Sequence, residues 1–324
     1  MWRFTICIAL VAAFAGCGGK DASSSKKYRV VVIPKGTGHQ FWKSVHAGAL
    51  RAAEELGNVD VIWKGPQKET DTDQQIEIVK NFISKRVDGI CLAPNHSEAL
   101  VEVVQEATEE NIPVVIFDSG LGEGAKTVSY VATDNYRGGQ LAADRLAKLI
   151  EGKGDVIMLR YRAGSESTEQ REAGFLDRLK EKHPDIKVLS SSQFGEKSKR
   201  TAMEAMTPLL RKYRDEVDGV FAVCEPNCNG TLEALINTNL VGKVKFVAFD
   251  PSDELIGGMK DGSVGGIVLQ DPVQMGYQSV MNMVAHLEGK KVDARIPTGE
   301  YVATPENMNT EKFDKLLNPV LADQ

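Results

Sequence analysis

No block of lysine or arginine interrupts the 324-residue chain. Its 39 Lys and Arg residues are scattered and outnumbered by 45 Asp and Glu, for a net charge of -6. Such a balance offers no general attraction to nucleic acid or to an anionic membrane surface. Histidine and cysteine are equally sparse, at five each. The histidines form no metal-binding cluster, and Cys224 and Cys228 of "CEPNC" lack two further ligands at zinc spacing. A disulfide between them would need an oxidising compartment and a geometry that short loops seldom supply, so both read as free thiols. Cys91, inside the apolar "DGICLAP", reads as an inert core thiol. There is no Gly-x-Ser-x-Gly elbow. The pair Lys43-Ser44 follows Trp42 rather than glycine, so it closes no phosphate loop. These absences argue against an enzyme and imply neither cofactor nor metal.

The N-terminus supplies a single long apolar run, Phe4 to Ala15, after Arg3. It is too short to span a bilayer but has the length of an export-signal core. It ends in Ala15 and Gly16, just before Cys17. The arrangement resembles a bacterial lipoprotein signal, although Phe14 stands where a Leu-like residue is usual. Residues 1–16 then read as the signal peptide, Cys17 as the lipidated residue, and 17–27 as a polar tether. The expected location is the periplasmic or cell-surface face of a membrane, held by the lipid anchor alone.

From Tyr28 onward short apolar runs alternate with segments of helical period. "YRVVVIP", "GICLAP", "PVVIFD", "GVFAVC" and "KFVAFD" are nearly all apolar, as strands covered on both faces must be. Between them, Phe41, Val45, Ala49, Ala52 and Leu56 mark one helical stripe, and Ile76, Val79 and Ile83 another. Strand–helix alternation predicts an α/β fold with parallel sheets.

Ligands of open α/β sheets bind beyond the carboxyl ends of strands. Those ends carry Lys35 to Trp42, Pro94-Asn95, Asp118, Arg160 to Arg171, Phe194 to Lys197, Cys224 to Asn227, Asp250 and Gln270. Asp118 precedes a loop, where helix capping is unnatural. At Asp250 capping remains an equal alternative.

Six segments, in order, resemble the type I periplasmic binding proteins of bacterial ABC importers, the ribose- and galactose-binding group. They are "FWKSVHAGA", "NIPVVIFDS", "TDNYRGGQLAAD", "EQREAGF", "FVAFD" and "IVLQDPVQMG". The resemblance runs from Tyr28 to about Thr310. It implies two similar Rossmann-like lobes joined by three crossover strands, with the ligand in the cleft. One lobe would hold residues 28–133 and 271–299, the other 134–270 and 300–324. The matched positions imply sugar contacts from Phe41, Trp42, Asp118, Arg171, Asp250 and Gln270. That set suits a sugar chemically, with flat apolar rings for C–H faces and planar charged groups for hydroxyls. Phe41 also fits the core stripe of its helix, whereas Trp42 lies off it and is expected in the cleft.

Departures from the family pattern are Lys35, His39, Lys197 in place of a cleft aromatic, and Cys224 with Glu225 and Asn227 near a usual amide. Lys35 after "IP", with "GP" and "DTDQQIEIVKNFI" further on, resembles the autoinducer-2- and rhamnose-binding branch. Lys35 is expected in the cleft, its buried charge offset by Asp118, by Glu225, or by an anionic or densely hydroxylated ligand. For His39 a turn role and a ligand role stay open. The expected function is capture of a sugar or sugar-like polyhydroxylated molecule by a monomeric protein, for delivery to ABC permease subunits. Presentation of such a ligand, autoinducer-2 for instance, to a membrane signalling partner is the alternative.

Overall fold

The computed structural model describes residues 1–2, 27–196 and 198–322. The signal-peptide residues from 3 onward, Cys17, most of the tether and Lys197 lie outside the described residues. The first half runs β1 (Tyr28–Ile33), α1 (Gln40–Leu56), β2 (Val59–Trp63), α2 (Thr72–Ser84), β3 (Gly89–Leu92), α3 (Val101–Glu109), β4 (Val114–Phe117) and β5 (Ser129–Ala132). The second runs α4 (Asn135–Leu149), β6 (Gly154–Leu159), α5 (Glu166–Lys182), β7 (Ile186–Ser190), α6 (Lys199–Lys212), β8 (Val217–Ala222), α7 (Glu225–Asn237), β9 (Lys245–Phe249), α8 (Asp253–Asp261) and β10 (Gly266–Leu269). The chain then returns through α9 (Pro272–Leu287), β11 (Arg295–Pro297), β12 (Tyr301–Ala303) and α10 (Glu311–Leu317).

Two sheets result, ordered β11-β5-β4-β3-β1-β2 and β12-β10-β9-β8-β6-β7. The first is parallel throughout. In the second only β12 is antiparallel, against β10. Each sheet lies between helix layers, which is why Val30 to Ile33, Val114 to Phe117 and Phe246 to Phe249 are all buried.

The three crossings between lobes are short. Two end on an aspartate that caps the next helix. Asp134 Oδ1 accepts from Arg137 N–H at 2.9 Å to open α4, and Asp271 Oδ1 accepts from Gln274 N–H at 2.9 Å to open α9. The first and third crossings are tied together, since Thr298 N–H donates to the Ala132 carbonyl and Thr133 Oγ1 to the Gly299 carbonyl. Ala322, at the end of the second lobe's range, donates its N–H to the Lys43 carbonyl of α1 at 3.2 Å. The tail beyond α10 has no strand to join, and its backbone pairs with the first lobe instead.

Both lobes use one device to bring two helices into backbone contact. A Cβ on Gly48 or Gly276 would strike the backbone of α9 or α1, and one on Gly139 or Gly174 that of α5 or α4. Only hydrogen side chains permit such crossings. The second fixes the depth at which α5 presents Arg171.

Candidate functional site

All nine side chains singled out from the sequence, Lys35, His39, Phe41, Trp42, Asp118, Arg171, Glu225, Asp250 and Gln270, line one cavity between the lobes. The cavity is small, about 40 Å³.

The two aspartates hold matching places. Asp118 follows β4 and Asp250 follows β9, each the fourth strand of its half. Each N–H bonds to the neighbouring strand, Asp118 to the Val131 carbonyl at 3.0 Å and Asp250 to the Val268 carbonyl at 2.9 Å. Both take left-handed backbones, with φ of 63° and 67°. A non-glycine residue held there is strained, and such strain concentrates at functional sites. Asp250 caps no helix, because Ser252 accepts from Leu255 N–H to open α8.

Each aspartate is matched to a cation. Lys35 Nζ lies 2.9 Å from Asp118 Oδ2, and Arg171 Nη1 lies 3.5 Å from Asp250 Oδ2, all four side chains being buried. Lys35 also donates to Ser167 Oγ of the other lobe at 2.9 Å. Arg171 is heavily tethered: Nε donates to Asn135 Oδ1, Nη1 to the Val223 carbonyl, and the guanidinium stacks on Phe249 at 3.8 Å. Gln270 Nε2 donates to Asp250 Oδ1 at 2.7 Å. Burial raises the Asp250 carboxyl above the usual range, an effect that Arg171 and Gln270 oppose.

Both aromatics line the cavity, but they differ in burial. Trp42, off the stripe, is 3% exposed and packs in the core, edge-on to Phe41 at 4.9 Å and to Phe117 at 6.3 Å. Its Nε1–H is committed to Glu69 Oε1 at 2.7 Å. Phe41, on the stripe, is only partly buried. The reason is position: both residues lie in the first turn of α1, where the helix leaves the core and the stripe meets the cleft.

Glu69 is the main residue missed in the sequence. It sits between β2 and α2, in a polar run that carries no motif. Yet it is the hub of the cleft, taking Trp42 on Oε1 and the Tyr161 hydroxyl of the other lobe on Oε2 at 2.9 Å. Burial works to raise its carboxyl, but His39, Lys35 and these two hydrogen bonds outweigh it and hold it low. Arg162 adds a bond to the Glu69 carbonyl at 2.7 Å. Tyr161 and Ser167 lie in the Arg160–Arg171 stretch but carried no individual signal. Further links join the lobes: Gly120 N–H and Tyr130 OH both donate to Glu166 Oε2, and Ser167 N–H donates to Ser119 Oγ. The lobes are closed on each other.

Glu225 and His39 face each other at 4.0 Å, between Oε2 and Nδ1. Burial pushes the Glu225 carboxyl up to about 7, His39 opposing and Asp250 and Glu69 reinforcing. Cys224 lines the cavity, and Cys91, Cys224 and Cys228 are free and buried. Burial raises all three thiols, which makes them poor nucleophiles. No group of three metal-ligating side chains occurs among the described residues.

This geometry agrees with the family comparison. The periplasmic binding protein domain model matches residues 30–291. The chain belongs to the periplasmic binding protein family. It is 26% identical to the ribose import binding protein of Haemophilus influenzae over 277 residues, 86% of this chain and 91% of that one. It is 27% identical to the D-ribose/D-allose-binding protein of Pseudomonas aeruginosa, over 80% of this chain and 82% of that one. Among solved structures it is similar to a carbohydrate transporter solute-binding protein of Agrobacterium radiobacter in complex with D-arabinose. The TM-score is 0.84 at 35% identity, covering 90% of this chain and 99% of that one. An ABC transporter solute-binding protein of Agrobacterium vitis with bound D-fucose gives 0.85 at 30%, covering 89% and 99%. Family membership makes this an exported, periplasmic type of protein. Among the described residues no helix is long and apolar enough to cross a membrane.

Proposed function

We propose that this protein captures a sugar or sugar-like polyhydroxylated molecule for an ABC importer by closing its two lobes over it. One observation carries the reading: buried, charged, planar hydrogen-bonding groups from both lobes converge on one small cavity at the strand ends. Asp118 and Asp250 can each accept from hydroxyls, Arg171 Nη2 is left unbonded by the described residues, and Phe41 offers an apolar face. Ribose, allose, arabinose and fucose in the relatives' names fit the same chemistry.

In this reading residues 28–133 with 271–299 move as one body, and 134–270 with 300–324 as the other. A ligand bridging both shifts the population toward closure by its differential affinity for the closed form. The protein acts as a monomer, is anchored through Cys17, and passes its ligand to permease subunits. It is not an enzyme in this reading: Asp118 and Asp250, which could imitate a glycosidase pair, are both committed to ion pairs. A thermal-shift screen against sugars, polyols, sugar acids and autoinducer-2 tests the proposal. A ligand at a hundredfold its Kd adds about 2.7 kcal/mol of stability. The absence of any shift from a carbohydrate, or turnover of one, would contradict it.

A further inference from the structure

The cleft holds more carboxylates than its own cations balance. Glu69, Asp118, Glu225 and Asp250 line it, against Lys35, Arg171 and the imidazole of His39. Lys35 is spent on Asp118 and Arg171 on Asp250. Glu69 is satisfied by two neutral donors, Trp42 and Tyr161. Glu225 has no such donor. Its Oε2 is buried without a hydrogen-bond partner, and His39 Nδ1, 4.0 Å away, is too distant for one.

A second acceptor stands in the same condition. Gln270 is 2% exposed, and its Nε2 is turned to Asp250, which leaves Oε1 buried and unpartnered on the cavity wall. Glu225, Asp250 and Gln270 follow β8, β9 and β10, three adjacent strands. Asp250 and Gln270 directly follow their strands, Glu225 opens α7 three residues past β8, and all three line the cavity. Sugar hydroxyls can donate to these acceptors, but they leave the charge unbalanced. An ammonium brings three donors and a positive charge together. Burial is the main cause of the raised Glu225 carboxyl, and an ammonium beside it would favour its charged form.

We propose that the ligand is a hydroxylated molecule bearing one protonated amine, an amino sugar or amino polyol, and that Glu225 is the residue that selects it. The proposal rests on the reading of this cleft as a site for a hydroxyl-rich ligand.

The test is calorimetric titration of the purified protein at pH 7. The probes are the 2-, 3-, 4- and 6-amino derivatives of D-glucose, D-galactose and D-mannose. Each is compared with its parent sugar and its N-acetyl form. At least one amino sugar is expected to bind about tenfold or more tightly than both neutral forms. In Glu225→Gln the ratio of amino to parent affinity falls to about one, whereas Glu225→Asp, which keeps the charge, retains a preference for the amine. Circular dichroism confirms that each variant is folded, and Glu225→Ala, which also removes the charge, carries the comparison if Glu225→Gln is not. Parent sugars that bind as well as every amino form would overturn the proposal while leaving sugar capture intact. So would an amine preference that survives Glu225→Gln. Failure of every neutral and amino sugar to bind would overturn this proposal; the capture function falls only if ribose, allose, arabinose and fucose also fail to bind.

Discussion

The buried carboxyl of Glu225 makes a prediction that needs no ligand. Its native value is about 7, against an ordinary 4.5. Between those two values the native state holds a proton that the unfolded chain has released. Stability therefore falls as pH rises through that window, because the native state binds more protons there. Each pH unit across the window is worth about 1.36 kcal/mol, so the whole of it contributes about 3 kcal/mol at most. Glutamine keeps the shape and stays neutral at every pH. Glu225→Gln should therefore match the wild type near pH 4.5 and exceed it by about 2–3 kcal/mol at pH 8. At about 2–4 °C per kcal/mol, that is a difference in melting temperature of several degrees. The assay is urea or thermal unfolding of both proteins at half-unit steps from pH 4.5 to 8.5. The difference between the two curves removes contributions they share, including those of Asp250 and Glu172, whose carboxyls are also raised, chiefly by burial. A difference that is constant with pH, or that favours the wild type at high pH, would refute the reasoning.

Lys35→Met strands Asp118 as an unpaired buried carboxylate, and unfolding should show a loss of about 3 kcal/mol, most of it recovered in Lys35→Met/Asp118→Asn. The same single change should alter which ligand binds; an untouched ligand profile would place Lys35 outside the contact set. Arg171→Ala should lower ligand affinity at least about a hundredfold by calorimetry, since it removes a charged fork and leaves Asp250 unpaired. Gly139→Ala forces a methyl against the Arg171 carbonyl; unfolding should show a loss of about 1–3 kcal/mol or more, together with weakened binding, as α5 shifts away from the cleft. Glu166→Ala removes the acceptor that Gly120 and Tyr130 share across the lobes, and small-angle scattering should report a larger radius for the unliganded variant.

Much of this architecture is legible in the chain because strands buried on both faces must be apolar throughout. Val30 to Ile33 and Phe246 to Phe249 satisfy that at 0% exposure. The site is legible where function breaks the pattern, as in the two aspartates that end "VVIFD" and "KFVAFD". What escapes is set by tertiary contact alone. Glu69 looks like one acid among several in a polar loop, and only folding brings Trp42 and Tyr161 to it. The three-residue strands β11 and β12 are too short for any period to register. The roles of Phe41 and Trp42 depend on where α1 leaves the core, which helical phase does not encode. Lys35 is the instructive intermediate case: a lysine at a strand end has several plausible fates, and the buried carboxylate 2.9 Å away decides between them.

Calorimetric titration of a carbohydrate panel into the wild type, Asp118→Ala and Arg171→Ala asks whether one hydroxyl-rich molecule is held between the lobes by these two residues. At least one carbohydrate should bind the wild type saturably and one-to-one, and neither variant should bind it. A wild type that binds no carbohydrate, or variants that bind it undiminished, would contradict this reading.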